Sequence, residues 1–408
     1  MMKIRRTVPP TAAPIELNDL AHGLLGLFGG KSNRNKLESE IKKQFGASHV
    51  FCLSSGKAAL ALILLALSDL SDRKQVIIPA YTCFSVPSAI LRAGLNIVLC
   101  DIDPATLDFD YECLERTVTD QTLCVIATHL FGIPSDLDRV ESVCRKSGAF
   151  VVEDAAQAMG GAYKGKELGT IGDVGFYSLG RGKNITAGSG GIVATRSDGI
   201  AAALKNRYAS LDETSFFEDL NNLLQVGLMS VLIRPNYFWL PAGLPFLKLG
   251  QTFFYKTFPL QKLSTKRAAL LRNWRRRLME SNRVRTETAV NLYKNLLSAG
   301  VRRTVVPYLR FPLLAADRET RNSIFARSQR MGLGLSLMYP SPINEIYELR
   351  DTFAGQFFPG AKRVADTLVA LPTHHLLSEN DKKAIANLFA GAGSRQALQP
   401  IVSASETA

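Results

Sequence analysis

HVFCLSSGKAALALILLAL, residues 49–67, joins a β-branched and aromatic run to an unbroken Ala/Leu run through Ser54-Ser55-Gly56. It reads as a strand over His49–Leu53, a tight turn, and a helix over Lys57–Leu67. The same alternation continues outward. Val76–Pro79 is a second short strand, followed by a helix near Val86–Ala93. Asn96–Cys100 and Leu123–Thr128 are further strands, the latter ending in His129. Leu137–Ser147 reads as a helix, Ala149–Val152 as a strand ending in Glu153-Asp154, and Gly191–Ala194 as another strand. Apolar runs separated by helices imply a mostly parallel α/β sheet covered by helices on both faces. In such sheets ligands sit outside the carboxyl ends of the strands, where these polar residues fall.

At 408 residues the chain is long enough for two or three structural units. Residues 1–35 read as a loose N-terminal arm. After it Leu37–Phe45 reads as a short amphipathic helix at the start of a large domain over 36–210. Residues 211–262 break the alternation: Pro235, Pro241 and Pro245 sit among Leu, Phe, Tyr237 and Trp239, giving an apolar insertion or linker. It either packs against protein or touches a membrane surface. Residues 263–390 form a helical connection and a smaller α/β domain, and 391–408 a small, polar, flexible tail.

The composition excludes several classes. The six cysteines form no CxxC pair, which implies free thiols and no zinc site; no metal is expected. The basic N-terminus MMKIRRTVPPTAAP is not followed by an apolar run and cleavage site, so no signal peptide is expected. The apolar runs Leu60–Leu67 and Leu223–Ile233 are far short of a bilayer span. A cytoplasmic protein is the expectation. Net charge is +13, with much of the excess between Lys262 and Arg285. That segment is either a solvated helix face or a contact for an anion, such as a lipid headgroup or a substrate diphosphate. No nucleic-acid-binding motif accompanies it.

Three stretches could carry chemistry. Ser54-Ser55-Gly56-Lys57 puts small residues and a helix N-terminus where a phosphate could bind, although such turns are common. Asp154, after a buried run, needs a partner: a protonated heteroaromatic nitrogen, Mg²⁺ or a helix N-terminus. Ser178-Leu179-Gly180-Arg181-Gly182-Lys183-Asn184 contains GK, but Tyr177 stands where a P-loop needs Gly and Asn184 where it needs Ser or Thr. A lone lysine in a loop is ordinarily solvated. The combination of a phosphate cradle, a carboxylate and a lysine amine, however, is what pyridoxal 5'-phosphate requires.

SSGKAAL, IIPAYTCFSVPSAI, HLFGIPSDLD, VVEDAAQAMGGAYKGKELGTIGDVGFYSL and KNITAGSGG, with MYPSPI and LPTHHLLSENDKKAI near the C-terminus, resemble the DegT/StrS-type sugar aminotransferases. These are fold-type I pyridoxal-phosphate enzymes. The resemblance runs from about Glu38 to Leu388 and is weak over 205–265. It implies that Lys183 is the Schiff-base lysine and proton shuttle, and that Asp154 partners the pyridine nitrogen. Gln157 would lie near the cofactor's phenolic oxygen. Ser178, Ser55 and Gly56 would bind the phosphate, and Lys57, where the family usually has Thr, would either reach it as a point charge or point to solvent. The ring would be covered from the segment holding Tyr81, Cys83 and Phe84. Three positions depart from the family pattern. Cys83 stands where an aromatic residue is usual, and Gly180 replaces a histidine. The family's Asn-Tyr-Arg segment, which reaches the partner subunit's cofactor, has no clear match near 250–265.

The resemblance implies a homodimer with active sites near the interface. It also implies amino transfer from glutamate to a keto-sugar on a nucleotide diphosphate, for surface or exopolysaccharide biosynthesis. A lyase or another fold-type I activity is the enzymatic alternative, and a non-catalytic scaffold in glycan assembly the other. Lys183 argues against the dehydratase relatives, which carry histidine there. His129 either lines the site or is structural. His374 and His375 are assigned no catalytic role.

Overall fold

The computed structural model describes residues 6–29, 32–247, 249–250, 252–296, 306–390 and 399–401. In chain order, α1 (Leu17–Phe28) and α2 (Asn33–Phe45) precede β1 (His49–Leu53), α3 (Gly56–Ser68), β2 (Gln75–Pro79), α4 (Ser85–Arg92) and β3 (Asn96–Cys100). There follow α5 (Tyr111–Thr117), β4 (Thr122–Thr128), α6 (Leu137–Ser147), β5 (Phe150–Asp154) and a small hairpin of β6 (Ala162–Tyr163) and β7 (Lys166–Glu167). β8 (Val174–Ser178), β9 (Gly191–Thr195) and α7 (Asp198–Ala209) complete the first unit. α8 (Phe216–Leu232), α9 (Trp239–Ala242), α10 (Thr265–Ala268) and α11 (Trp274–Leu296) lead to β10 (Arg310–Leu314), α12 (Arg318–Met331), α13 (Pro359–Thr367), β11 (Leu368–Pro372), α14 (Glu379–Ala390) and β12 (Gln399–Pro400).

The large sheet has the order β1-β9-β8-β5-β4-β2-β3. β9 is antiparallel to both neighbours, and the remaining pairs are parallel. Six strands therefore point one way, and their carboxyl ends form one edge. α3 explains the burial on one face: its Leu60, Leu62, Ile63 and Leu64 are all shielded from solvent. On the other face Leu37, Ile41, Val140 and Trp274 close a second core around Val125 and Val151. The mostly parallel, two-faced sheet is thus as expected. The smaller unit is an antiparallel sheet, β11-β10-β12, packed on α11, α12 and α14.

Several expectations need correction. Glu153 and Asp154 lie inside β5 rather than beyond it. Carboxylates resemble strand terminators in sequence, but tertiary partners accommodate them here. β8, which delivers Ser178, was not expected as a strand. Residues 6–14 are not loose: Val8, Ala12 and Ala13 are buried, and Val8 N–H donates to Gly332 O at 2.8 Å. This strap runs along the smaller unit and α11, and α1 follows it as a helix. Of the tail, residues 391–398 and 402–408 lie outside the described residues. Among the described residues no helix is long and apolar enough to cross a membrane.

Candidate active site

The turn after β1, the start of α3, the end of β8 and the turn before β9 meet at the carboxyl edge. Ser55 caps α3, its Oγ accepting from Ala58 N–H at 3.2 Å. Gly56 presses on Ser178: a Cβ there would lie 3.0 Å from both Cβ and Oγ of Ser178. Any side chain at 56 would fill the space between the helix N-terminus and that hydroxyl. Ser189 Oγ ties the two sides together by donating to Ser54 O at 2.6 Å. Ser178 Oγ itself accepts from Gly180 N–H at 3.3 Å. The result is a small cradle of hydroxyls at a positive helix end, suited to a phosphate ester.

Lys183 follows a tight turn in which its N–H donates to Gly180 O at 3.3 Å and Gly182 has φ +76°. Thr11 of the N-terminal strap holds that turn, donating from Oγ1 to Gly182 O at 2.8 Å. The half-buried Lys183 amine is pushed below the ordinary lysine range by burial. Cys83 and Asp154 oppose this shift, and the charge of Arg310 reinforces it. An amine so placed is nearer to its neutral, nucleophilic form.

Asp154 is buried at the end of β5, and its Oδ1 accepts from Ala156 N–H at 3.0 Å. Burial pushes its pKa up, against that hydrogen bond and the nearby Lys183 and His129. No helix begins at Asp154, which removes a helix N-terminus from its possible partners. A cationic heteroaromatic nitrogen is a partner that fits a buried carboxyl with this surplus acceptor capacity.

Glu153, one residue earlier, points to the other face. It accepts from Gly169, Ile171 and Gly172 N–H at 2.7, 2.6 and 2.8 Å. His129 donates from Nε2 to the same carboxylate at 3.1 Å, and its Nδ1 accepts from Ser135 N–H at 3.1 Å. With both ring nitrogens committed, His129 is structural. His374 is likewise committed, Nε2 donating to Pro9 O at 2.8 Å.

Gln157 bridges two elements: its Nε2 donates to the Tyr339 hydroxyl at 3.0 Å, and its Oε1 accepts from Phe131 N–H at 3.3 Å. The Tyr339 ring lies 5.5 Å from Tyr81 and 6.3 Å from Phe84. Tyr81 and Phe84 are buried in this packing, whereas Cys83 is half-buried, with Sγ 2.8 Å from Ser85 Oγ. Lys57 is placed among aromatic rings. Its Nζ lies 4.8 Å from the rings of both Tyr255 and Phe258. The end of the 211–262 segment thus folds back over the site, with Ser54 N–H donating to Gln261 O at 2.9 Å.

Sequence reasoning brought Ser55, Gly56, Cys83, Asp154, Gln157, Ser178 and Lys183 to this edge. It missed Tyr339, Arg310 and Thr11. Tyr339 lies in MYPSPI, one of the stretches that carried the family resemblance, and follows Met338, whose φ is +52°.

Residues 21–219 match the DegT/DnrJ/EryC1/StrS aminotransferase family. GDP-perosamine synthase of Caulobacter vibrioides is 34% identical over 170 residues, 41% of this chain and 46% of that enzyme. UDP-N-acetyl-3-dehydro-alpha-D-glucosamine 3-aminotransferase of Acidithiobacillus ferrooxidans is 34% identical over 160 residues, 39% of this chain and 43% of that enzyme. The matched stretch therefore spans less than half the length of these curated relatives. Over nearly the whole chain the fold is that of sugar aminotransferase CalS13 from Micromonospora echinospora, with a TM-score of 0.76, 24% identity, and coverage of 94% of this chain and 100% of that one. The stretch matched by the DegT/DnrJ/EryC1/StrS aminotransferase family, residues 21–219, holds the site from Ser54 to Lys183.

Proposed function

We propose that this protein is a pyridoxal-phosphate-dependent aminotransferase that moves an amino group from glutamate to a keto-sugar carried on a nucleotide diphosphate. The observation that carries the reading is the pairing of Lys183, its amine held toward neutral, with the buried carboxyl of Asp154 at one sheet edge. Bound there, pyridoxal phosphate supplies an electrophilic aldehyde and a ring that accepts electrons.

The chain's own groups do the rest. The α3 N-terminus, Ser55 and Ser178 bind the phosphate, and Gly56 leaves room for it. Asp154 keeps a proton on the ring nitrogen. Gln157, fixed by Tyr339 and Phe131, would lie near the cofactor's phenolic oxygen. Lys183 Nζ would hold the cofactor's aldehyde and would move a proton to and from the substrate carbon. The substrate class follows the two curated relatives named above, whose names carry GDP- and UDP-linked sugars, and the net charge of +13 suits a dianionic substrate. We also propose a homodimer working in the cytoplasm, with its product used in surface or exopolysaccharide assembly.

The test is the visible spectrum of purified protein given pyridoxal phosphate, before and after L-glutamate, with Lys183→Ala alongside. The expected result is a yellow band in the wild type that glutamate bleaches, and no stable lysine-linked band in the variant. A band that glutamate leaves unchanged would point to another donor or to a lyase. Absence of any band would overturn the enzymatic reading in favour of a scaffold.

A further inference from the structure

α1 and α8 repeat one pattern. Leu17, Leu24 and Phe28 stand at i, i+7 and i+11 on α1, and Phe217, Leu224 and Leu228 stand at the same spacing on α8. With 3.6 residues per turn, those positions form one stripe along each helix. All six side chains are more than half exposed. The inward positions hold Asp19, Gly23 and Gly26 beside Leu27 on α1, and Asp219 and Asn222 beside Val226 on α8. Asp19 meets Arg277 at 3.3 Å, Asp219 meets Arg267 at 3.0 Å, and Asn222 Nδ2 donates to Ala187 O at 2.8 Å. A helix lying between a protein core and water ordinarily does the reverse. These two turn their aspartates inward and their largest apolar side chains outward.

The two helices run antiparallel, side by side. Midway, a Cβ on Gly23 of α1 would lie 2.9 Å from Leu223 Cδ1 of α8. At one end Arg234, just past α8, lines a cavity of about 310 Å³ together with Leu17 at the start of α1. At the other end Lys266 Nζ lies 4.9 Å from the ring of Phe216, which begins α8. The carbonyl of Lys266 would be 2.9 Å from a Cβ on Gly26, near the end of α1. The two stripes therefore lie next to each other with a cation at each end. Arg272 adds a third: it is exposed two residues beyond Leu270, which packs against Gly23. The carboxylates of these helices and of the α1 cap are engaged elsewhere. Asp19, Asp219 and Glu16 pair with Arg277, Arg267 and Arg276, and Glu218 accepts from Ser215 N–H at 2.6 Å.

Apolar stripes flanked by cations suit the surface of an anionic bilayer. Apolar side chains enter the boundary between headgroups and acyl chains, while Lys and Arg meet lipid phosphates. A second copy of this chain fits less well, because it would set the same cations against one another in a protein of net charge +13. We infer that the face formed by α1 and α8 docks on an anionic lipid bilayer, the six apolar side chains entering it and Arg234, Lys266 and Arg272 contacting lipid phosphates. The contact is peripheral, since among the described residues no helix is long and apolar enough to cross. It also concerns the site. The loop that carries Lys183 is tied to the inward side of α8, through Arg181 to Gln225 and through Ala187 to Asn222. Docking therefore brings that loop within one helix diameter, about 10 Å, of the lipid. The inference does not depend on the aminotransferase reading.

The test is flotation of the full-length protein with vesicles of equal parts phosphatidylglycerol and phosphatidylcholine, and with vesicles of phosphatidylcholine alone. The wild type should bind the anionic vesicles, much less the neutral ones, and more weakly as salt is raised. The double variant Phe217→Asp, Leu224→Asp should lose more than about 10-fold in affinity, the worth of one inserted Phe or Leu. The triple variant Arg234→Gln, Lys266→Gln, Arg272→Gln should lose about 5-fold for each charge removed, on anionic vesicles only. Far-ultraviolet circular dichroism should match the wild type in both. Failure of the wild type to bind anionic vesicles would overturn the inference, as would equal binding to neutral ones. Undiminished binding by the folded double variant would assign docking to another face and overturn it too. A wild-type dimer that ignores vesicles and falls apart in the double variant would give this face to a second copy instead.

Discussion

At the scale of single residues, the site works through opposed charges. Lys183 is lowered by burial and by Arg310, and raised by Cys83 and Asp154. The neutral amine is the reactive form, so the rate at which added pyridoxal phosphate yields the yellow band should rise with pH. The midpoint should fall below the free-lysine value of about 10.4. Asp154→Asn removes a negative neighbour, so that midpoint should move to lower pH. Arg310→Gln removes a positive neighbour and should move it higher. Asp154→Asn should also slow the glutamate half-reaction by roughly 10²-fold or more, the scale of a lost acid–base contribution, while the band still forms. Rapid-mixing absorbance across pH checks both effects. An unshifted midpoint in Asp154→Asn would show that the carboxyl does not face the amine.

Most of these residues were legible in the sequence because their roles depend on local context. Ser55 and Gly56 stand between a strand and a helix, Asp154 ends a strand, and Lys183 follows a glycine-rich turn. Arg310 was not legible. A single arginine in YLRFPLL carries no local mark, and its meaning depends on Met338, Pro10 and Lys183, which lie far away in the chain.

At the scale of elements, the N-terminal strap is the main addition. It touches the Lys183 loop through Thr11, β10 through Pro10, α11 through Ala12 and Pro14, and α14 through the Arg6–Asp381 ion pair. Gly334 makes room for it: with φ +73°, a Cβ there would lie 2.7 Å from Val8 O and 2.9 Å from Pro9 O. Gly334→Ala should therefore cost about 1–2 kcal/mol for the left-handed backbone, and more for the contact with the strap. Urea unfolding monitored by circular dichroism measures this. It should be accompanied by slower band formation, because the strap also holds Gly182. Stability within about 0.5 kcal/mol of wild type would mean the strap is dispensable, as for an ordinary surface change. The sequence suggested a loose arm because MMKIRRTVPPTAAP has neither helical nor strand periodicity. An extended strap bound through its backbone needs none.

At the scale of the whole molecule, the exposed apolar surface is concentrated on α1 and α8. Phe28 is 81% exposed, Phe217 78%, Leu224 64% and Leu228 59%. α1 packs against α8, so these side chains belong to one region. A patch of this kind is expected to be covered. If a second copy covers it, sedimentation should give a dimer for the wild type and a monomer for the double variant Phe217→Asp, Leu224→Asp, with far-ultraviolet circular dichroism unchanged. A wild-type monomer at micromolar concentration would remove the dimer from the proposed function.

The sequence by itself determined the sheet, because buried parallel strands and the helices covering them are written as continuous apolar runs. It also singled out Ser55, Gly56, Ser178 and Lys183 as candidates, because helix ends, small residues and reactive groups keep their spacing along the chain. Only the tertiary structure decided three matters: Glu153 and His129 are a satisfied structural pair, Lys57 lies over aromatic rings, and the charge of Arg310 bears on Lys183. Each depends on which distant groups approach an ionisable side chain. Charge and desolvation energies are set by distance in space, and residue order does not encode that distance.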